Sequence, residues 1–197
     1  MNLIINFNKI IDMSFFRIIA GKLKNRRINI RGIEGVRPIS EKRREALFNI
    51  LGSLRCRVFA DLCAGCGVVG LEAVSRDAEF VYFIEKNKKN CEIIKKSLEL
   101  LGISNSVVIN ADVRKCFEYF EKDRLPTIIY FSPPYKDIAL YYNFFNLIDE
   151  NYLPRNTIVM IDRPYKLNLN LALKTLVFDE TRKYSISAID FYYKKNV

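Results

Sequence analysis

One segment of the chain combines the residue types that a nucleotide-like cofactor needs. It runs Asp61-Leu62-Cys63-Ala64-Gly65-Cys66-Gly67-Val68-Val69-Gly70, between an apolar run and a stretch of helical pattern. Glycines permit a tight turn and let backbone N–H groups approach a ligand at the N-terminus of a helix. Gly65, Gly67 and Gly70 therefore predict a cofactor-binding turn that links a strand to a helix.

Three acidic residues bear on which cofactor this turn binds. Glu85 ends the next predicted strand, twenty residues after Gly65, where a carboxylate can accept both hydrogen bonds of a ribose diol. Asp61 can lie near an amino acid ammonium group, which S-adenosylmethionine has and NAD lacks. Asp112 follows the next predicted strand, where it can contact an adenine edge or cap a helix. The glycines and Glu85 alone fit NAD almost as well as S-adenosylmethionine.

A second motif, Ser132-Pro133-Pro134-Tyr135, directly follows another predicted strand. The two prolines fix the backbone and leave carbonyl oxygens without local N–H competition. Tyr135 offers a flat face on which a base can stack. Ligands of open α/β sheets lie at the carboxyl ends of the strands, so this loop is predicted to share a cleft with the glycine turn.

Basic residues are concentrated near the N-terminus. The chain has 32 basic and 22 acidic residues, and residues 1–55 hold twelve of the former and four of the latter. A basic arm on a nearly neutral body predicts a polyanionic partner, nucleic acid first and an anionic membrane surface second. Contacts with phosphates, which give salt-sensitive affinity, are predicted for Lys22, Lys24, Arg26, Arg27, Arg31, Arg37, Arg43 and Arg44.

The remaining composition excludes several classes of site. The chain has no His, which removes the commonest general base and the commonest transition-metal ligand. Cys63 and Cys66 have the spacing of a zinc pair, but no second pair accompanies them, so we expect no metal. The five Cys form no disulfide pattern, which is typical of a reducing cytoplasm, and no apolar run is long enough to span a membrane.

The elements that position these motifs alternate along the chain. Apolar runs at 57–61, 80–85, 106–109, 127–131 and 157–162 predict strands buried on both faces, and helical patterns lie near 68–76, 87–101, 112–121 and 137–149. This alternation predicts right-handed βαβ units and a parallel sheet with helices on both sides. The runs 175–180 and 185–195 have no helix between them, so the sheet is predicted to close with an antiparallel pair.

The N-terminal part has a different pattern. Residues 15–20 and 26–31 predict a β-hairpin with a basic face, and Ser40 is a candidate N-cap for a helix that continues to about Ser53. We therefore expect a loose extension at 1–13, a basic arm of hairpin and helix at 14–55 that suits a nucleic acid, and a cofactor-binding domain at 56–197.

Together these motifs resemble a known family. The Asp61–Gly70 turn and the Pro133-Pro134-Tyr135 loop resemble class I, Rossmann-like methyltransferases that use S-adenosylmethionine to modify exocyclic amines of bases. Segments 17–26, 36–40 and 43–49 resemble the RsmD family, bacterial enzymes that methylate the N2 amine of one guanine in 16S ribosomal RNA. The similarity runs from about Phe16 to Tyr193. It implies a mostly parallel seven-stranded sheet with an antiparallel C-terminal strand, and a monomeric, cytoplasmic enzyme acting on the small ribosomal subunit or its RNA.

The resemblance also implies roles for residues. Gly65, Gly67, Gly70, Glu85 and Asp112 would line the cofactor pocket, Ser132 to Tyr135 would face the guanine, and the hairpin and Arg37–Phe48 would hold RNA. Ser132 departs from the family, whose loop begins with Asp or Asn, and Cys63 and Cys66 replace an aromatic and a small hydroxyl residue. The alternatives are a weakly active or inactive RNA-binding assembly module and, less favoured, an NAD-dependent oxidoreductase.

Overall fold

The computed structural model describes residues 15–33, 36, 38–169 and 173–195. The predicted extension at 1–13, and Arg37 among the candidate RNA contacts, lie outside the described residues. The described strands form a two-stranded hairpin and a seven-stranded sheet. They are β1 (Phe15–Arg17), β2 (Arg27–Asn29), β3 (Val58–Leu62), β4 (Phe80–Glu85), β5 (Ser106–Asn110), β6 (Ile128–Phe131), β7 (Ile158–Pro164), β8 (Leu176–Tyr184) and β9 (Ser187–Lys194).

Helices cover both faces of the seven-stranded sheet. They are α1 (Glu41–Leu51), α2 (Val68–Ser75), α3 (Lys88–Leu100) and α4 (Ile138–Glu150). The predicted N-cap of α1 is confirmed, because the Ser40 side chain accepts a hydrogen bond from the Arg43 N–H. Two hydrophobic clusters, one on each side of the sheet, bury the apolar residues of the strands.

The order of the sheet is β5-β4-β3-β6-β7-β9-β8. The first five of these strands pair in parallel, and β9 pairs antiparallel with both β7 and β8. The predicted α/β, Rossmann-like sheet with an antiparallel C-terminal end is therefore confirmed. Successive strands run outward from β3 to β5, and the chain then returns to β6 on the other side of β3. This reversal opens a crevice at the carboxyl ends of β3 and β6, where ligands bind in such folds.

Three sequence expectations need correction. The helix predicted at 112–121 is a 3-10 helix, Val113–Tyr119. The strand predicted at 175–180 continues as β8 to Tyr184, because it pairs with β9 across a two-residue turn. The run at 106–109 was expected to be buried on both faces, but β5 is an edge strand and its side chains are only half-buried.

The N-terminal hairpin packs against α2 and forms hydrogen bonds with it. The Glu72 carboxylate accepts hydrogen bonds from the backbone N–H groups of Ile19 and Ala20, both at 3.0 Å. The Lys22 N–H donates to the Ser75 carbonyl at 2.7 Å. Apolar residues of the hairpin also belong to the same buried cluster as α1 and α2. These contacts set the position of the basic arm relative to the sheet.

Candidate functional site

A cleft of about 1020 Å³ lies at the carboxyl edge of the sheet, over the reversal point between β3 and β6. Strand pairing places the ends of the central strands side by side, with Leu62 opposite both Ile84 and Phe131. Residues that follow these strands therefore converge on one opening. The cleft brings together the predicted residues Asp61, Gly65, Glu85, Asp112, Ser132, Pro133, Pro134, Tyr135 and Arg43.

The glycine turn has the geometry that its sequence predicts. Gly65 has a φ of +56° and Gly67 a φ of +70°, a region that favours glycine. Gly67 is the N-cap of α2. Gly70 has a different role, because a Cβ there would lie 2.2 Å from a ring carbon of Phe83 on β4. Gly65 and Gly67 thus shape the turn, and Gly70 lets α2 pack closely on the sheet.

Glu85 is held at the edge of the cleft by two backbone groups. Its carboxylate oxygens accept hydrogen bonds from the N–H of Gly65 and the N–H of Asn87, both at 2.7 Å. Each carboxylate oxygen has a further lone pair. Glu85 can therefore accept from a ribose diol while it fixes the glycine turn, and the two sequence features form one structural unit.

Asp61 lies under the same turn. Its carboxylate is buried and accepts a hydrogen bond from the Gly70 N–H at 2.8 Å. Burial raises the pKa of Asp61 to about 8, although the Gly70 hydrogen bond acts in the opposite direction. A cationic ligand bound beside Asp61 would favour its ionised form, because an opposite charge lowers the pKa of a carboxyl group, whereas a pyrophosphate would raise it further. This arrangement favours a cationic ligand over NAD.

Asp112 lies at the third strand end, where one of the two roles considered for it, the helix cap, is observed. Its side chain accepts a hydrogen bond from the Arg114 N–H at 3.0 Å, which caps the 3-10 helix, and it also lines the cleft. The Arg114 side chain holds the pKa of Asp112 below its usual range. A second cation, Lys86, lies 3.2 Å from the same carboxylate.

The Ser132-Pro133-Pro134-Tyr135 loop forms the opposite wall of the cleft. The Ser132 N–H donates to the Leu62 carbonyl at 3.2 Å, which ties the start of the loop to the end of β3. The loop ends in a turn in which the Asp137 N–H donates to the Pro134 carbonyl. Tyr135 is half-buried, and its hydroxyl donates to Asp162 at 2.7 Å. The loop is thus fixed at both ends.

Asp162 is a site residue that the sequence analysis missed. Asp162 lies near the end of β7, and the residue is 3% exposed. It accepts hydrogen bonds from Tyr130, Tyr135 and Arg43, at 2.9, 2.7 and 2.8 Å. Glu85 is predicted as a site residue because it is an acidic residue at the carboxyl end of an apolar run. Asp162 has the same position in its own run, so the same rule could have found it.

Comparison with known proteins identifies the family. A family model described as "Conserved hypothetical protein 95" matches residues 16–193. The ribosomal RNA small subunit methyltransferase D of Buchnera aphidicola subsp. Baizongia pistaciae is 35% identical over 155 residues, which are 77% of this chain and 78% of that protein. The chain belongs to the RsmD family. It is therefore an S-adenosylmethionine-dependent methyltransferase.

Solved structures agree on the fold. The Escherichia coli protein yhhF, described as a proposed methyltransferase, superposes with a TM-score of 0.80 at 23% identity, over 92% of this chain and 98% of that one. SMU.776, another proposed methyltransferase, was solved in complex with SAH. It superposes with a TM-score of 0.68 at 12% identity, over 92% of this chain and 56% of that one.

The cleft of this RsmD family member fits the donor that the family uses. Carboxylates of Asp61, Glu85 and Asp112 stand at three adjacent strand ends. This set suits a ligand with an ammonium group, a ribose diol and a sulfonium charge. The absence of a side chain at Gly65 lets Val36, at the cleft wall, pack against the turn, since a Cβ there would lie 2.8 Å from Val36. The residues present therefore fit S-adenosylmethionine.

The cysteines of the glycine turn are protonated thiols. Burial raises the pKa of Cys66 to about 12 and that of Cys63 well above its usual value. Cys63 has a φ of +59° and contributes to the bend of the turn. Among the residues that the structure describes, no group of three or more His, Cys, Asp or Glu side chains could hold a metal ion.

The basic residues divide into exposed and buried groups. Five of the predicted basic side chains are on the hairpin, where they are exposed and available to a polyanion. They are those of Lys22, Lys24, Arg26, Arg27 and Arg31. Arg44 does not fit the prediction of a phosphate contact, because it is 1% exposed and forms an ion pair with Glu72 at 3.2 Å. Arg43 lines the cleft but pairs with Asp162. Charge counts alone could not separate these groups, since both belong to one basic segment of the sequence.

Proposed function

We propose that this enzyme transfers the methyl group of S-adenosylmethionine to the exocyclic N2 amine of a guanine in the 16S RNA of the small ribosomal subunit. The observation that supports the proposal best is the single cleft in which Gly65 and Glu85 face the Ser132–Tyr135 loop. The named relative from Buchnera aphidicola acts on small-subunit ribosomal RNA, and the exposed basic hairpin suits such a partner.

In this proposal the residues of the glycine side bind the donor. Glu85 accepts hydrogen bonds from the ribose, Asp61 faces the ammonium group, and Asp112 faces the adenine. When bound, S-adenosylmethionine would supply a methyl group on a sulfonium sulfur. The sulfur would keep the carbon–sulfur electron pair, and the amine nitrogen that takes the methyl would release one proton to water. Alignment of the two reactants then provides much of the catalysis.

The residues of the loop prepare the amine. The N2 lone pair of guanine is delocalised into the ring, which makes it a weak nucleophile. Hydrogen-bond acceptors on the two N–H bonds favour a tetrahedral nitrogen with an exposed lone pair. The Ser132 hydroxyl and the Pro133 carbonyl are the proposed acceptors, and Tyr135 is the proposed stacking surface for the base.

We also propose that the enzyme acts as a monomer in the cytoplasm, on the small subunit or on its free RNA. Thiols that stay protonated, such as Cys63 and Cys66, suit a reducing compartment. No helix in the described part of the chain is both long enough and apolar enough to cross a bilayer. Size-exclusion chromatography with light scattering tests the monomer, for which a mass near 23.0 kDa is expected.

The decisive experiment is base mapping. Small subunits and naked 16S RNA, both from cells that lack this gene, are incubated with the protein and S-adenosylmethionine labelled in the methyl group. We expect label on the N2 amine of one guanine, and none with a Glu85→Ala variant that no longer binds the donor. RNA binding without methyl transfer to either substrate would instead indicate an assembly module. Thermal stabilisation by NAD, and not by S-adenosylhomocysteine, would indicate an oxidoreductase.

A further inference from the structure

Ser132 presents a chemical problem that Asp or Asn does not. A carboxylate or amide carbonyl oxygen carries no proton and always accepts, whereas a hydroxyl both donates and accepts. If the Ser132 proton points toward the substrate, the hydroxyl repels the amine N–H that it should bind. Ser132 is therefore a useful acceptor only if another group takes its proton.

Tyr130 is the group placed to do so. It lies on β6 two residues before Ser132, so that both side chains project from the same face at the end of this strand. Both residues line the cleft, where the Ser132 side chain acts as a hydrogen-bond donor that lowers the pKa of Tyr130, against the larger effect of burial. Burial raises the pKa of Tyr130, which therefore keeps its own proton at neutral pH.

Asp162 decides in which direction Tyr130 can hydrogen-bond with Ser132. The Tyr130 hydroxyl donates to the Asp162 carboxylate at 2.9 Å, and an ionised carboxylate can only accept. The Tyr130 proton therefore points toward Asp162. The lone pairs of the Tyr130 oxygen can then accept a hydrogen bond from Ser132. Asp162 is kept in place by an ion pair with Arg43 at 2.8 Å and by the Tyr135 hydroxyl.

We infer that Tyr130 and Asp162 form a relay of oriented hydrogen bonds that makes Ser132 an acceptor. In this relay the Ser132 O–H donates to the Tyr130 oxygen and the Tyr130 O–H donates to Asp162. The lone pairs of Ser132 then face the acceptor amine. Tyr130 and Asp162 are positioning residues, and no proton is transferred along the chain. This inference rests on the proposed function of the Ser132 loop.

The test is the Tyr130→Phe substitution in three backgrounds. In the wild-type enzyme we expect kcat to fall roughly threefold to tenfold, the effect of one net hydrogen bond, with the KM values for RNA and S-adenosylmethionine unchanged. In a Ser132→Asn background the loss should disappear, because the amide oxygen accepts without the help of Tyr130. In a Ser132→Ala background it should also disappear, because no hydroxyl remains to be oriented.

Tyr141→Phe is the matched control. The Tyr141 hydroxyl is also buried and donates to the backbone carbonyl of Asp162 at 3.1 Å, outside the relay. We expect the two Tyr→Phe variants to lower the midpoint of thermal unfolding similarly, and only Tyr130→Phe to lower kcat. Affinity for S-adenosylhomocysteine, measured by calorimetry, should stay within about twofold of wild type in both, since neither hydroxyl contacts the donor side.

The outcomes separate the relay from the function on which it rests. An equal loss of kcat in all three backgrounds would assign Tyr130 a packing role and overturn the relay. No loss in the wild-type background would overturn it as well. Failure of the wild-type protein to methylate any small-subunit substrate would overturn the proposed function itself, whatever the variants do.

Discussion

Two buried carboxylates organise the side chains around the cleft, and each connects segments that are distant in sequence. Glu72 on α2 accepts from Arg44, from Arg76 and from the backbone of the hairpin. Asp162 on β7 accepts from α1, from β6 and from the Ser132–Tyr135 loop. A buried carboxylate needs several donors to offset its lost hydration. At the scale of single residues, these two acids therefore set the positions of the basic N-terminal arm and of the Ser132–Tyr135 loop.

Ser132 gives the first prediction. Ser132→Ala removes the side-chain acceptor, and we expect kcat to fall by about tenfold, the effect of one hydrogen bond at the reacting group. Ser132→Asp restores the acceptor of the family pattern and should keep or raise kcat. Steady-state methyl transfer to small-subunit RNA measures both. If neither substitution changes the rate, Ser132 has no part in the mechanism.

Asp61 gives the second prediction, on pH. Its pKa is about 8 in the folded protein and near 3.9 in the unfolded chain, so the folded state binds an extra proton between these values. Folding stability contributed by this group is present at low pH and is lost as the pH rises toward 8. We expect the wild-type free energy of unfolding to fall more between pH 5 and pH 7.5 than that of Asp61→Asn. Urea titrations at the two pH values measure the free energy of unfolding of both proteins. An equal loss of this free energy in wild type and variant would contradict the prediction.

At the scale of elements, much of the architecture follows from the sequence. Continuous apolar runs predict the central strands because a parallel sheet is covered on both faces. The 3-10 helix at Val113–Tyr119 could not be predicted from its pattern, since a short helical stretch has the same periodicity in either form. The extension of β8 to Tyr184 could not be predicted either, because its exposed polar residues are held by pairing with β9 and not by burial.

The third prediction concerns the packing of α2 on the sheet. Gly70→Ala places a methyl group against the buried Phe83 ring, which has no room to move, and should lower the free energy of unfolding by about 1–3 kcal/mol. The same substitution in a Phe83→Leu background should cost much less, because the two positions are in contact and their effects are not additive. Urea unfolding of the four proteins provides the measurement. Additive effects would show that Gly70 is needed for another reason.

At the scale of the whole molecule, the charge distribution separates a binding surface from a supporting framework. Exposed Lys24, Arg26 and Arg31 on the hairpin can reach phosphates, whereas Arg44 in the same basic segment is buried against Glu72. The sequence identified the arm because charge counts need no coordinates. It could not identify the buried arginine, because burial depends on α2, which lies elsewhere in the chain.

The fourth prediction follows from this division. Alanine at Lys24, Arg26 and Arg31 together should weaken RNA binding and reduce the slope of log affinity against log salt by about 0.7–0.9 for each phosphate that the variant no longer neutralises. Stability should be nearly unchanged, since these side chains are exposed. The control is alanine at Lys122 and Arg155, exposed residues that precede β6 and β7, at the edge of the sheet away from the cleft. An equal effect for each removed charge in the two sets would indicate general electrostatic attraction.

The central claim is that one cleft holds the methyl donor on the glycine turn and points its transferable carbon at the Ser132–Tyr135 loop. A crystal structure with S-adenosylhomocysteine tests it most directly. The account predicts the ribose hydroxyls on the Glu85 carboxylate, the amino acid part near Asp61, and the sulfur directed toward Ser132. A ligand bound away from the glycine turn, or a sulfur directed away from the loop, would contradict the account.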